Sequence, residues 1–211
     1  MSLSLNNVTI KKHPDITLFD TLNVEVKKGT ILTLMGPSGC GKSTLLDAIA
    51  GHLDDPFTMQ GTISLDGIRI DQIAPHQRQV GILFQDDLLF PHLNVWQNLA
   101  YALPNQVKGA AREQEAKQAL KAISLSNLAE SYPDEISGGQ RARISLTRML
   151  LAKPKLALLD EPFSKLDKNL RSQFRLWVEK QLQEANIPAL LVTHDHDDIA
   201  DPNLVLEWPW S

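Results

Sequence analysis

The chain has 211 residues, 43% hydrophobic and 22% charged, which is typical of one soluble globular domain and excludes a disordered or fibrous chain. Its net charge of −4, without a long basic stretch, argues against general electrostatic attraction to nucleic acid or anionic lipid. The single cysteine, Cys40, can form no internal disulfide, which fits a reducing cytosol, and no apolar run approaches the about 20 residues of a membrane helix.

The first elements predicted along the chain are strands. LSLNNVTI (3–10) and TLNVEV (21–26) alternate apolar and polar residues with a period of two, which predicts an antiparallel sheet. The apolar run TILTLM (30–35) predicts a buried strand, and STLLDAIAG (43–51) predicts the helix that follows it. This order places a strand, a short loop and a helix in succession.

The middle of the chain has a helical character. AREQEAKQALKAIS (111–124) and GGQRARISLTRMLLA (138–152) have helical patterns, and one face of the second is lined by Ala142, Leu146, Met149 and Leu150. We therefore expect a helical lobe at about 93–152, inserted into a single domain whose core comprises about 1–92 and 153–211.

The last third returns to strands. KLALLD (155–160) and PALLVTH (188–194) predict two more buried strands, and LEWPWS at the end looks like a short last strand. After Asp167 a helix is predicted, with a buried face of Leu170, Phe174, Trp177, Val178 and Leu182. Strands that alternate with helices in this way indicate an α/β fold with a mostly parallel sheet.

GPSGCGKST lies between a predicted strand and a predicted helix, as a P-loop must. Its glycines allow backbone N–H groups to converge on phosphate oxygens, Lys42 supplies a charge for the β- and γ-phosphates, and Ser43 offers a hydroxyl to Mg²⁺. The predicted nucleotide-binding residues are Gly36, Pro37, Ser38, Gly39, Cys40, Gly41, Lys42, Ser43 and Thr44. A redox role for Cys40 is the alternative to a spacer, which we favour because side chains in such a loop usually point away from phosphate.

LALLDEP (156–162) brings two carboxylates to the end of a predicted strand, where α/β sheets bind ligands. Asp160 is predicted to hold Mg²⁺ through water, and Glu161 to orient the attacking water. A solvated Asp-Glu turn is the alternative for this pair taken alone.

Gln85 and His194 also follow apolar runs. Gln85 could contact Mg²⁺ and water without adding charge, and His194 could donate a hydrogen bond to a γ-phosphate. Taken alone, either residue has an ordinary surface or structural explanation. His196 and the neighbouring acids suggest a metal site, but histidines two residues apart do not make a closed zinc site.

ISGGQ (136–140) is a second anion-binding turn that opens a helix. Ser137 is a good N-cap, and Gly138 and Gly139 allow the helix N-terminus to approach a phosphate. An ordinary capped helix is the alternative.

In this order the P-loop, Gln85, ISGGQ, LALLDEP, SKLD (164–167) and VTH resemble the nucleotide-binding subunit of ATP-binding cassette (ABC) transporters, over about Leu3 to His194. The resemblance implies a P-loop NTPase with a RecA-like parallel-sheet core, an N-terminal antiparallel β lobe and an inserted helical lobe. It implies an ATPase with ATP and Mg²⁺ as ligands. Its implied site residues are Glu161, His194 and Gln85 for catalysis, and Ser43, Gln85 and Asp160 for the metal.

The resemblance also implies a homodimer, in which the P-loop of one subunit faces the signature turn of the other, namely Ser137, Gly138, Gly139 and Gln140. This arrangement would explain two phosphate cradles in one chain. FQDDLLFPHLNVWQNLA (84–100) is similar to bacterial importer subunits, whose groove near this segment receives a cytoplasmic helix of the permease.

The expected partners are therefore membrane permease subunits and an extracytoplasmic solute-binding protein, with no nucleic acid. The expected location is the cytoplasmic face of the inner membrane. An export ATPase and a soluble ABC protein are the alternatives, and a P-loop kinase would leave ISGGQ unexplained.

Three positions depart from the family pattern. Ile136 replaces the usual leucine, and Lys165 replaces the usual alanine of the D-loop, SKLD (164–167), for no reason visible in the sequence. The family stacks adenine on an aromatic residue upstream of the P-loop, but the first aromatic here is Phe19, which we expect to face the core. His13 is the predicted substitute, and weak base discrimination is the alternative.

Overall fold

The antiparallel sheet lies at the amino-terminal end of the chain. The structure is a computed structural model that describes residues 2–14 and 16–210. The sheet has the order β2-β1-β4-β5 and consists of β1 (Ser2–Lys12), β2 (Ile16–Lys27), β4 (Phe57–Leu65) and β5 (Ile68–Arg69). Its first two strands cover both segments whose period-two alternation predicts strands. Their inward residues, such as Leu3, Leu5 and Ile10, are fully buried.

The second sheet is parallel and forms the centre of the core. It has the order β6-β7-β8-β3-β9 and consists of β3 (Ile31–Met35), β6 (Val80–Leu83), β7 (Leu156–Asp160), β8 (Ala189–Thr193) and β9 (Val205–Glu207). Every residue of β3 and β8 is buried, as expected for strands covered on both faces. The α/β fold with an antiparallel lobe is thus confirmed.

The helices pack around these sheets. They are α1 (Lys42–Ala50), α2 (Val95–Ala102), α3 (Ala110–Ala122), α4 (Gly138–Leu151) and α5 (Lys168–Ala185). The predicted helices agree with α1, α3 and α4 to within two residues at each end, and the helix predicted after Asp167 begins at Lys168 as α5. Within the described residues, no α-helix combines the length and the hydropathy needed to cross a membrane.

The buried side chains of α2, α3 and the start of α4 form a hydrophobic cluster of their own, from Val95 to Ile144. The later face of α4 instead joins α5 and the parallel sheet, through Leu146, Met149 and Phe174. We propose the boundary of a helical lobe at about 93–152, and this separate cluster supports it.

The last described residues support the strand that leads into the P-loop. The strand predicted from LEWPWS lies slightly earlier, at β9, and pairs with β3. Beyond it, the backbone N–H of Trp208 and the indole Nε1 of Trp210 both donate to the carbonyl of Met35, at 2.9 and 2.8 Å. The Trp210 ring is fully buried and lies edge-on to Phe19, with 5.2 Å between ring centroids. The final turn of the chain therefore fixes the carbonyl that precedes Gly36.

Candidate functional site

The P-loop connects the end of β3 to the start of α1 at the carboxyl edge of the parallel sheet. Two of its glycines, Gly39 and Gly41, have φ angles of 83° and 100°, a left-handed conformation that favours glycine. A Cβ atom on Gly41 would also lie 3.2 Å from Leu18. The backbone at Gly41 thus has a left-handed conformation and lies close to β2. Gly41 is the N-cap of α1, which begins at Lys42.

The ammonium of Lys42 lies inside this loop. It donates to the carbonyls of Gly36 and Pro37 at 2.8 and 3.0 Å, and it lies 3.7 Å from Oε1 of Glu161. Its side chain is only 5% exposed. A cation held this deeply, mainly by neutral carbonyls, is favourably placed to interact with an anion.

Asp160 ends β7 beside the first turn of α1. Its Oδ1 accepts a hydrogen bond from Ser43 Oγ at 3.0 Å. Burial raises the pKa of Asp160, and the neighbouring charge of Glu161 also raises it, whereas Ser43 and Lys42 act in the opposite direction. Hydroxyl and carboxylate oxygens are the ligands that Mg²⁺ prefers, so Ser43 and Asp160 fit this ion.

Glu161 is the next residue, and its backbone is unusual. Its φ angle is 45°, its N–H donates to the carbonyl of Val192 at 3.0 Å, and its carbonyl accepts from Ser164 Oγ at 2.9 Å. Oε1 of Glu161 lies 3.1 Å from Nδ1 of His194, which directly follows the last residue of β8. The carboxylate therefore lies between a lysine and a histidine.

One pocket of about 340 Å³ brings most of these groups together. It is lined by Ser38, Gly39, Gly41, Lys42, Ser43 and Thr44 of the P-loop, by Gln85, Asp160 and Glu161, and by Lys12, Leu18 and Phe57 from the antiparallel sheet. Gly36, Pro37 and His194 line an adjoining pocket with Trp208. Cys40 is not among the lining residues of either pocket, and it packs against the hydrophobic core.

The signature turn 137–140 is folded as a capping box. The N–H of Gln140 donates to Ser137 Oγ at 3.3 Å, and the N–H of Ser137 donates to Gln140 Oε1 at 2.9 Å. A Cβ atom on Gly139 would lie 2.5 Å from Leu170, so this glycine allows α4 to pack closely on α5, whereas Gly138 faces open space apart from Arg141. The turn is not among the residues that line the P-loop pocket.

The segment after Gln85 is attached to both α4 and the D-loop. Arg141 Nε lies 3.1 Å from Oδ2 of Asp87, and Ser145 Oγ donates to the Asp87 carbonyl at 2.8 Å. The ammonium of Lys165 forms an ion pair and a hydrogen bond with Asp86. Lys165, which the sequence could not explain, thus connects the D-loop to the segment that follows Gln85.

Sequence reasoning missed Phe57. The prediction that Phe19 faces the core is confirmed, because its side chain is 4% exposed, and His13 does not line the P-loop pocket. Phe57 does line it, although it follows the P-loop in sequence. Only the pairing of β4 with β1 places it there, and a single aromatic residue in an alternating strand carries no sequence signal for that position.

Comparisons with known proteins agree with this geometry. The family described as "ABC transporter" matches residues 19–164. The chain is 47% identical over 210 residues to an uncharacterized ABC transporter ATP-binding protein, YnjD, of Escherichia coli, covering 99% of this chain and 96% of the relative.

Two further relatives have names that state a transported ion. The chain is 41% identical to the Fe(3+) ions import ATP-binding protein FbpC of Photobacterium profundum, over 96% of this chain. It is 40% identical to the sulfate/thiosulfate import ATP-binding protein CysA of Synechocystis sp., over 98% of this chain. In each case the chain spans 58% of the relative's length.

Proposed function

The chain belongs to the ABC transporter family, and on that basis we propose that it is the ATP-hydrolysing subunit of an importer. ATP binding would draw two copies together, and hydrolysis would separate them, while separate membrane subunits carry the solute. The observation that carries this proposal is that Lys42 of the P-loop lines the same pocket as Asp160 and Glu161.

The phosphates of ATP would be bound by the N–H groups of the P-loop, by the N-terminus of α1 and by Lys42. The Lys42 ammonium would exchange its contacts with two neutral carbonyls for contacts with phosphate oxygens. Ser43 and Asp160, with Gln85 at the same pocket, would hold Mg²⁺, whose charge neutralises the phosphates when it is bound.

Glu161 is proposed to polarise the attacking water, because its carboxylate lies in the P-loop pocket next to Lys42. His194, 3.1 Å from this carboxylate, would orient it and donate to the γ-phosphate. The left-handed backbone of Glu161 is held by hydrogen bonds to Val192 and Ser164, so the position of the carboxylate is fixed by two elements of the fold.

The second phosphate cradle is proposed to act on the partner's nucleotide in a homodimer. The signature turn presents the N-terminus of α4, and Gly138 is open to approach. It lies outside the pocket of its own P-loop, as a cradle shared between subunits would.

A groove next to the Gln85 segment is the proposed docking site for a permease helix. It has a volume of about 310 Å³ and is lined by Gly81, Ile82, Phe90, Tyr101, Ala102, Ser145, Arg148, Met149 and Ala152. Tyr101 is 68% exposed and lies edge-on to the half-buried Phe90, and the Arg148 guanidinium lies 5.2 Å from the centroid of the Phe90 ring. An exposed tyrosine with a second aromatic ring and a cation nearby suits an amphipathic helix.

Import is favoured because the names of the FbpC and CysA relatives both state import. The proposed location is the cytoplasmic face of the inner membrane, reached through the permease, with a solute-binding protein on the other side. The transported solute would be selected by those partners. A gene for a periplasmic binding protein next to the permease gene would support import over export.

The ATPase part of the proposal is tested with the purified protein. Lys42→Ala should lose ATP binding, because backbone amides cannot replace the cation, whereas Glu161→Gln should bind ATP normally and hydrolyse it at least about 100-fold more slowly. Glu161→Gln should also elute as a dimer with ATP on a sizing column. Normal turnover by this variant would assign the catalytic carboxylate to another residue.

The proposed docking to a permease is tested by sedimentation of the chain with membranes. These membranes contain the permease whose gene lies next to the gene of this chain. Tyr101→Ala should weaken recruitment without changing ATP affinity, while Tyr132→Ala, at the chain's other tyrosine, should change neither. Recruitment to protein-free lipid vesicles would contradict docking through a permease.

A further inference from the structure

We propose that Phe57, on β4, stacks on the adenine base of ATP and replaces the upstream aromatic residue that this chain lacks. The proposal rests on the function proposed above, because it takes the P-loop to be the phosphate site. Phe57 lies on β4, whereas His13, the substitute predicted from the sequence, follows β1.

The residues that line the pocket indicate where the parts of the nucleotide would lie. Asp160, Glu161 and Lys42 line it together with other residues of the P-loop, and these are the groups proposed to bind the phosphates and Mg²⁺. Apart from Gln85, the remaining lining residues are Lys12, Leu18 and Phe57, and these three come from the antiparallel sheet. A nucleotide whose phosphates occupy the P-loop would therefore have its base beside this sheet, and Phe57 is the one aromatic side chain among the described residues that line the pocket.

The Phe57 ring is anchored on one side and accessible on the other. It is half-buried against the hydrophobic core and also lines the pocket. Lys12 is its register partner across β1 and β4, and the Lys12 ammonium lies 6.0 Å from the ring centroid. An aromatic surface with a cation next to it suits a purine base, which stacks on the ring and has nitrogen acceptors for the ammonium.

Leu18 packs the sheet that carries the Phe57 ring, the proposed base platform, against the phosphate site. Its side chain would lie 3.2 Å from a Cβ atom on Gly41, so it packs directly against the P-loop, and it lines the same pocket as Phe57. The antiparallel sheet that carries Phe57 is therefore packed directly against the phosphate cradle.

The two other candidates for the base do not have this placement. Phe19 is buried and its ring contacts Trp210. His13 is exposed but is not among the residues that line the pocket. Stacking on a phenyl ring reads no base edge, so we also expect ATP and GTP to bind with affinities within about threefold of each other.

The experiment compares ligands with and without a base. Binding of ATP and of inorganic tripolyphosphate, each with Mg²⁺, is measured by calorimetry on the full chain. Phe57→Ala should weaken ATP binding by about 5- to 150-fold, the usual effect of losing one base stack, and should leave tripolyphosphate binding within twofold of wild type. Phe57→Trp should retain ATP affinity.

Two variants control for packing. Met59→Ala removes a half-buried side chain from the same face of β4 outside the pocket, and it should bind both ligands normally. Phe57→Leu keeps apolar volume but loses the aromatic face, so it should resemble Phe57→Ala.

The outcomes separate the two proposals. Unchanged ATP affinity in Phe57→Ala and Phe57→Leu, or an equal loss for ATP and tripolyphosphate, would overturn the base platform and leave the P-loop assignment intact. A wild-type protein that binds neither ligand would overturn the proposed function and, with it, the platform.

Discussion

Nδ1 of His194 lies 3.1 Å from Oε1 of Glu161, although the two residues are 33 positions apart in the chain. Parallel pairing of β7 with β8 produces this contact, because Asp160 is in register with Val192 and the next residues of both strands emerge at the same edge of the sheet. Two of the three side chains that the sequence assigns to catalysis, Glu161 and His194, therefore form one hydrogen-bonded unit.

His194→Ala should lower kcat by about 100-fold while it changes the ATP dissociation constant less than threefold, since it removes a partner of the carboxylate that we propose to be catalytic but no phosphate-binding amide. Single-turnover hydrolysis and equilibrium ATP binding are the measurements. His196→Ala is the matched control, because this exposed histidine lines the same adjoining pocket as His194, whereas the contact with Glu161 is made by His194. Equal effects of the two substitutions would remove His194 from the mechanism.

Mixing two defective subunits should restore activity if the sites are shared. Ser137→Arg removes the N-cap and blocks the signature turn, and Glu161→Gln removes the carboxylate. In a mixed dimer, one site combines Glu161 of the first variant with Ser137 of the second and is intact, while the other site carries both changes. Single-turnover hydrolysis should exceed that of either variant alone. No recovery, in heterodimers shown to form, would mean that the sites are not shared.

Asp160→Asn should stabilise the protein in the absence of ligands. Burial raises the folded-state pKa of Asp160, so ionising this carboxyl costs stability as the pH rises above the unfolded-state value, and the cost is present at neutral pH. An amide oxygen can still accept from Ser43.

Thermal unfolding at neutral pH is the measurement for this variant. With EDTA, the melting temperature of Asp160→Asn should equal or exceed that of wild type, and the increase caused by Mg²⁺ and ATP in wild type should be mostly lost. A lower melting temperature in EDTA would show that the ionised carboxylate stabilises the fold.

The ion pair between Lys165 and Asp86 should affect turnover more than stability. Both side chains are more than half exposed, so a double-mutant cycle with Lys165→Ala and Asp86→Ala should give a coupling of about 0.2–1 kcal/mol in unfolding free energy. In hydrolysis the double variant should be no slower than the slower single variant, because either change already disconnects the D-loop from the Gln85 segment. Lys168→Ala is the control, and additive rate losses would contradict a shared role.

The parts of this molecule that the sequence predicts are those whose signals are local. β3, β7 and β8 are buried on both faces and therefore appear as apolar runs, and the P-loop and the acidic pair are placed by the strands they follow. Their convergence in one pocket follows from the rule that parallel strands end at one edge of a sheet.

The parts that sequence could not predict depend on contacts between distant segments. Phe57 reaches the P-loop pocket only through the register that pairs it with Lys12, and that register shifts within the strand. Lys165 of the D-loop is explained by its ion pair with Asp86, which only the folded structure brings beside it. Neither arrangement leaves a periodic pattern along the chain, so no local rule could have identified it.

The two tryptophans that follow β9 allow changes at the P-loop to be observed by intrinsic fluorescence. The backbone N–H of Trp208 and the indole N–H of Trp210 both donate to the Met35 carbonyl, and a Cβ atom on Gly36 would lie 3.1 Å from the Trp208 side chain. The other two tryptophans, Trp96 and Trp177, lie on α2 and α5. If Trp96 and Trp177 were replaced by phenylalanine, the remaining tryptophan fluorescence would come from Trp208 and Trp210, next to the P-loop. The emission of these two residues would then report nucleotide binding and release in real time, without an attached dye.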